Sequence, residues 1–425
     1  MNKNLPVEWS KNLTIYEVNL RQYTKSGTIK EFEAHLPRLK NLGVGILWFM
    51  PIQPIGVLER KGTLGSYYSI RDYRTVDPAC GTLEEFAALI EKIHQMGMYV
   101  IIDWVANHTS WDNVLTQTHP YFYTCNESGG FKPPNDEWTD VIELNYKVRD
   151  MREYMVETMK FWIRETNIDG FRCDMANLVP TEFWRFARKE LDTVKPVFML
   201  AEAEQRELID GAFDVIYNWN IFHAFNRIAK GESTCWDLTS MLEYEIYQFP
   251  SHAYQLMFTS NHDENSWNGS ELERLGEGLE AFTVLYFTLT GIPLIYSGQE
   301  AGNHKRLSFF EKDEIEWKDD KMFPLYAKLI NLKKTTEALW SGPYGGKLIL
   351  YDTRNGRHTL AYLREEGDSK VLVILNLSGS EQFAHLHDVS LQGVYVDIFS
   401  NDSYTIYDDY YFRLKPWEYI VLKGK

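Results

Sequence analysis

The sequence predicts an α/β protein: a closed (β/α)₈ TIM barrel with a small subdomain inserted after its third strand and an antiparallel β-sandwich domain at its C-terminal end. Three observations predict this arrangement. Short apolar runs alternate with amphipathic stretches up to about residue 340. Several of those runs, such as YVIID from Tyr99 and PLIY from Pro293, are apolar almost throughout, as parallel strands covered on both faces require. From about Gly345 the apolar period falls to two, in KLILYDT, HTLAYLRE, KVLVILNL, VYVDIFS and EYIVLKG, separated by Gly, Asn, Asp and Ser turns.

The barrel strands are expected at Leu13–Leu20, Gly45–Pro51, Met98–Val105, Ile168–Asp174, Val197–Ala203, Phe213–Trp219, Leu256–Asn261 and Ile292–Gly298. Helical spacing recurs between them, at Thr28–Leu42, Leu83–Gly97, Asp150–Thr166, Glu182–Leu191 and Glu271–Phe287, and a helix at Phe323–Leu339 closes the series. An open doubly wound sheet is the other architecture for such alternation. No Gly-rich dinucleotide fingerprint follows any strand, and this many units read as a closed barrel. The catalytic barrel is therefore expected over residues 1–107 and 148–344, the insertion over 108–147 and the sandwich over 345–425. The insertion, rich in Asn, Thr, Pro, Gly and aromatics, leaves the C-terminal face of the barrel. Long ordered loops on that face usually carry function.

The formal charge of −16 argues against a phosphate-tracking surface, so no nucleic acid is expected. Four cysteines, Cys80, Cys125, Cys173 and Cys235, have no CxxC spacing, and neither a zinc site nor a redox pair is indicated. Aromatic residues reach 15% and suit a cleft that stacks on the apolar faces of sugars, although a large core also uses many rings. MNKNLPVEWSKN lacks the apolar run of a signal peptide, and no stretch is long enough to span a bilayer. As written, the chain reads as cytoplasmic and free of membrane; a chain trimmed of an export signal would read the same.

The chemistry is carried by acids at strand ends. In Ile168-Asp-Gly-Phe-Arg-Cys-Asp174 side chains alternate faces, so Arg172 and Asp174 point one way and Phe171 and Cys173 the other. An arginine beside a carboxylate keeps it ionised and orients it, as a nucleophile needs. The fifth strand ends in Glu202, where an apolar setting would favour a proton donor. The third strand ends in Asp103 and leads to Asn107 and His108; the seventh ends in Asn261-His262-Asp263. One such acid could be a structural salt bridge. Four at one end of a barrel strain that reading, because clustered like charges cost stability. Two carboxylates flanking a bond, one ionised and one protonated, are the apparatus of glycoside hydrolysis; retention of configuration places them roughly 5–5.5 Å apart.

With these motifs in order, the sequence resembles glycoside hydrolase family 13, the α-amylase family, from about Thr14 to the C-terminus. The resemblance rests on DWVANH from Asp103, GFRCD from Gly170, LAEAE around Glu202 and FTSNHD ending at Asp263. GVGILWFMPI from Gly43, SYYSIRDY from Ser66, IELN from Ile142 and GIPLIYSGQE from Gly291 support it. It implies that Asp174 attacks the anomeric carbon, Glu202 serves as general acid and base, and Asp263 stabilises the distorted sugar. It further implies that Arg172 orients Asp174, that His108 and His262 hydrogen-bond the sugar, and that Tyr68 stacks on it. The adjacent Tyr67 offers another register for that stacking. Asp103 reads as a support that hydrogen-bonds the arginine or a neighbouring loop.

Many relatives carry Lys then His three and four residues after the nucleophile. Asn177 and Leu178 stand there in this chain, which puts long-chain starch specificity in doubt. No cofactor is required by the chemistry. The resemblance leaves calcium open: Asn107 would be a ligand, with Asp136, Glu137 or Asp140 from the insertion, since oxygen donors suit a hard cation. The expected substrate is an α-glucan or oligosaccharide, cleaved at α-1,4 bonds. The rival readings are an α-1,6-glucosidase or transglycosylase with the same machinery, and a silent glycan-binding barrel, which should have lost one of the three acids.

Overall fold

The computed structural model describes residues 5–318 and 321–425; residues 1–4 and 319–320, all within the expected barrel segments, lie outside that description. Strands β1 (Ile15–Val18), β2 (Ile46–Phe49) and β3 (Tyr99–Val105) begin a barrel. Next, β4 (His108–Ser110) and β5 (Val141–Glu143) pair antiparallel with each other inside the insertion. The barrel resumes with β6 (Gly170–Asp174), β7 (Phe198–Ala201), β8 (Val215–Tyr217), β9 (Tyr254–Met257) and β10 (Ile292–Tyr296). Its closed order is β1-β10-β9-β8-β7-β6-β3-β2. Every residue of β1, β2, β6 and β7 is buried, as parallel strands covered on both faces require.

By internal contacts the chain forms two compact units. The first runs mainly from Ile15 to Tyr217 and regains the chain at Ile295. Within it, fully buried Glu300 accepts a hydrogen bond from Tyr16 of β1 at 2.6 Å and pairs with Arg38 at 2.7 Å. The main-chain oxygen of Glu17 accepts from the Ser297 amide at 3.0 Å, so the segment after β10 is tied to β1. A buried carboxylate is tolerable only with such partners.

The second unit contains Asn218–Leu294 and the C-terminal part of the chain. There β11 (Lys347–Tyr351), β12 (Thr359–Glu366), β13 (Ser369–Asn376), β14 (Gln382–Leu386), β15 (Gly393–Asp397), β16 (Ser403–Ile406), β17 (Tyr410–Leu414) and β18 (Tyr419–Gly424) form two antiparallel sheets. The six-stranded sheet has the order β11-β12-β13-β18-β15-β16, and β14 pairs with β17. Leu363, Leu372, Ile374, Leu386, Phe412 and Leu422 belong to the core that both sheets share. Arg364 on β12 is buried without a carboxylate partner among the described residues. Its guanidinium donates instead to the carbonyls of Thr288, Leu289, Trp340 and Gly346. Burial pushes its pKa down to about 10.

Helical boundaries follow local chemistry. The expected helix Thr28–Leu42 is two, Ile29–Glu33 and Leu36–Leu42, because Pro37 has no N–H for the preceding turn. The expected Glu271–Phe287 is broken at Gly276 into Glu271–Leu275, one tight turn and Leu279–Thr288. The seventh barrel strand occupies Tyr254–Met257 rather than Leu256–Asn261. Among the described residues no helix is long and apolar enough to cross a membrane.

One position in the barrel wall admits no side chain. At Gly170 an added Cβ would lie 1.9 Å from the Phe198 carbonyl oxygen, which is backbone of the neighbouring strand and cannot swing aside. Gly170→Ala should therefore destabilise the protein by about 3 kcal/mol or more in urea unfolding, whereas an unchanged midpoint would mean that β6 and β7 are not packed this closely.

Candidate active site

The register of three adjacent strands assembles the site. In the β3–β6 ladder Asp103 stands beside Arg172 and Val105 beside Asp174. In the β6–β7 ladder Arg172 stands beside Leu200 and Cys173 beside Ala201, and the same offset carried one step on sets Glu202 beside Asp174. Neighbours in a parallel ladder share a face, so this alignment brings acids from three strands to one guanidinium.

Arg172 is fully buried and is the hub. Its Nη1 lies 2.9 Å from Asp103 Oδ1 and 3.2 Å from Asp174 Oδ1, and its Nη2 lies 2.7 Å from Glu202 Oε1. Asp103 and Glu202 together hold the guanidinium pKa well above its ordinary value, against the opposing effect of burial. Three carboxylates around one cation leave an excess of negative charge at this centre.

Two further residues pin the support. The indole of Trp48 on β2 donates to Asp103 Oδ2 at 3.1 Å, and the Arg172 guanidinium lies 5.0 Å from the Trp48 ring centre. The Tyr217 hydroxyl, at the end of β8, interacts electrostatically with Arg172. Neither residue was singled out by sequence reasoning. Trp48 lies within GVGILWFMPI, and the two-residue alternation of β2 was the signal that could have placed it inward.

The tyrosines separate clearly. Tyr68 donates to Asp103 Oδ2 at 3.2 Å, whereas Tyr67 turns away and donates to Asn19 at 3.0 Å. Directly after Asp174, Met175 adopts a left-handed backbone with φ of 40°. For a residue with a Cβ this costs about 1–2 kcal/mol. Its amide donates to Glu202 Oε2 at 2.9 Å. Backbone strain of this sort gathers at functional sites, where surrounding structure enforces it. The turn Ala176–Leu178 follows, with Asn177 and Leu178 exposed.

His108 is buried beside Trp138, with ring centres 5.5 Å apart. The Asn107 amide lies 3.3 Å from its Nδ1, a geometry that suits a neutral ring accepting at that nitrogen. Burial lowers the His108 pKa to about 4, with a hydrogen bond to the Tyr68 main chain pulling the other way. In the second unit, His262 Nε2 lies 3.4 Å from Asp263 Oδ2, and Trp267 donates to Asp263 Oδ1 at 3.2 Å. His262 is buried, and the Asp263 carboxylate is 40% exposed, open to a ligand.

The donor set suggested for calcium does not gather. Asp140 pairs with Lys61 at 3.1 Å, Asp136 and Glu137 are exposed, and Asn107 Nδ2 lies 3.3 Å from His108 Nδ1. Among the described residues no group of three His, Cys, Asp or Glu side chains is placed to hold a metal. No step of the chemistry is routed through a metal ion.

A sequence profile described as the alpha amylase catalytic domain matches residues 15–323, most of the chain. The chain belongs to the alpha-amylase family. A second profile, the maltogenic amylase C-terminal domain, matches residues 349–421. The chain is similar to a noncanonic maltogenic alpha-amylase, AmyB, from Thermotoga neapolitana, at 30% identity and a TM-score of 0.90, covering 98% of this chain and 99% of that one. An alpha-amylase structure from Lactobacillus plantarum is similar at 29% identity and a TM-score of 0.88, over 98% of this chain and 100% of that one. Alpha-amylase 2 of Dictyoglomus thermophilum is 24% identical over 93% of this chain and 74% of its own length. The chain spans only 56% of another relative, the alpha-amylase MalA of Haloarcula japonica.

His108 makes the fold sensitive to acid. Its folded pKa lies below the ordinary histidine value of about 6.5, so the unfolded chain binds a proton that the folded chain resists. The stability from this group is fully present above about pH 6.5 and is lost as pH falls toward 4. Urea unfolding of His108→Gln should show a shallower decline than the parent across that window; parallel declines would contradict the assigned burial effect.

Proposed function

We propose that the chain is a retaining glycoside hydrolase that cleaves α-1,4 bonds of maltooligosaccharides or related α-glucans through a covalent glycosyl-enzyme. The observation that supports this reading best is the gathering of Asp103, Asp174 and Glu202 around Arg172 at adjacent strand ends. In the proposed reaction an Asp174 carboxylate oxygen attacks the anomeric carbon while the Glu202 carboxyl gives its proton to the departing glycosidic oxygen. The C–O bond to the leaving sugar breaks, and an acyl-linked glycosyl group remains on Asp174. Glu202, now ionised, takes a proton from water; the hydroxide attacks the same carbon, releases Asp174 and restores the original configuration.

The neighbours supply the rest. Arg172 keeps Asp174 ionised and aimed. A neutral His108 can hydrogen-bond a sugar hydroxyl without adding a buried cation. Asp263 and His262 serve the sugar hydroxyls in this reading, Tyr68 offers its ring, and Asp103 positions Arg172. A transglycosylase reading draws on the exposed Asn177 and Leu178, because an amide and an aliphatic chain on the leaving side change how a second sugar competes with water. Relatives carry names from both classes, including a cyclomaltodextrinase from Bacillus sp and a maltosyltransferase from Picrophilus torridus.

The experiment is turnover of a nitrophenyl maltoside together with product analysis on maltooligosaccharides, isomaltose and pullulan. Asp174→Asn should lower kcat by about 10⁴-fold or more with the fold intact. A variant within tenfold of the parent would remove Asp174 from the mechanism. Products longer than the substrate would favour the transferase, and cleavage confined to α-1,6 links would overturn the α-1,4 assignment.

A further inference from the structure

A cavity of about 570 Å³ opens behind Tyr67, between the loops that follow β1 and β2. Its lining is unlike the rest of this acidic protein, in which 60 Asp and Glu outnumber 44 Lys and Arg. Arg21, Lys25, Arg60, Arg71 and Lys312 line it, against a single carboxylate, Asp77. A size of this order suits a small ligand.

Three of these cations, Arg21, Arg60 and Lys312, are held by main-chain carbonyls. Arg21 lies flat on Tyr67, 3.9 Å from its ring centre, and Nη1 donates to the carbonyls of Gly65 and Phe309 at 3.0 and 3.1 Å. Arg60 donates to the carbonyls of Gly56 and Ile55 at 2.6 and 3.0 Å. Lys312 donates to the carbonyls of Arg21 and Thr24. Among the described residues Arg71 alone of the five pairs with an acid, Asp112, at 3.4 Å, and Asp77 accepts from the Ala79 amide. A guanidinium has five N–H donors and an ammonium three, so donors remain on each of these groups after the bonds just named. Burial and the charge of Arg21 hold the Lys312 ammonium below its ordinary pKa, with Glu314, Glu31 and Asp313 pulling upward. Arg21, Arg60 and Lys312, pinned by carbonyls beside Lys25 and Arg71 around an open space, are completed by an anion.

We propose that this cavity is a binding site for a phosphate group, free or carried on a small sugar. A neutral glucan has no use for four or five cations, whereas a dianion with three acceptor oxygens takes up guanidinium and ammonium donors together. The volume leaves room for a sugar attached to the phosphate. The assignment is independent of the hydrolytic reading of the acid cluster.

Isothermal titration of the full chain with inorganic phosphate and with glucose 6-phosphate, against chloride at matched ionic strength, tests it. Saturable binding of at least one phosphate compound, and none of chloride, is expected. Tighter binding of glucose 6-phosphate identifies a sugar phosphate as the occupant; equal affinity identifies free phosphate. Lys25→Gln combined with Lys312→Gln should weaken binding by about tenfold or more, with nitrophenyl maltoside turnover retained as proof of folding. Lys25→Glu, at an exposed position, provides a second variant should Lys312 prove needed for folding, and it should weaken binding in the same direction. No saturable heat from either phosphate compound, or affinity unchanged in these variants, would overturn the assignment.

Discussion

A guanidinium with no exposure to water, ringed by Asp103, Asp174 and Glu202, is the constraint on which the candidate site depends. Burying one charge without partners would cost several kcal/mol, and removing any one acid here changes the environment of the others. Arg172 therefore couples the three carboxylates. It fixes where Asp174 points, draws Glu202 to the same centre and needs Asp103 to complete its own coordination. The arrangement is a positioning device first; reactivity follows from the excess of negative charge it concentrates.

The barrel makes that device possible through register. Because β3, β6 and β7 run parallel with Asp103 beside Arg172 and the next row pairing Val105 with Asp174, no loop is required to bring the acids together. Gly170 permits the close approach of β6 to β7 that this alignment uses. Just beyond the last residue of β6, the left-handed Met175 turns its amide onto Glu202, so a local backbone strain is exchanged for a fixed second donor on that carboxylate.

Much of this was legible in the sequence, for physical reasons. Continuous apolar strands and an abrupt change to period two after Gly345 give the architecture directly. Alternation within GFRCD puts Arg172 and Asp174 on one face without any coordinates. The ion pair between Arg172 and Glu202 was not legible, since it depends on register between strands that lie 24 residues apart at their nearest ends and periodicity carries no register. Trp48 and Tyr217 escaped notice because an aromatic in an apolar run looks like core until its polar edge is seen to meet a charge. The split of Thr28–Leu42 was signalled by Pro37, which the helical spacing overrode in the reading. The cation-lined cavity was hidden in another way. Its five basic residues come from four separate stretches of chain, and a net charge of −16 directs attention elsewhere.

The claim that Arg172 presents Asp174 as a nucleophile is tested most directly by trapping. The protein is incubated with 5-fluoro-α-glucosyl or maltosyl fluoride, digested, and its peptides are sequenced by mass spectrometry. The account predicts one glycosyl adduct per chain, carried on the Asp174 side chain. An adduct on Glu202 or Asp263, or no adduct from an enzyme that turns the fluoride over with inversion, would contradict it.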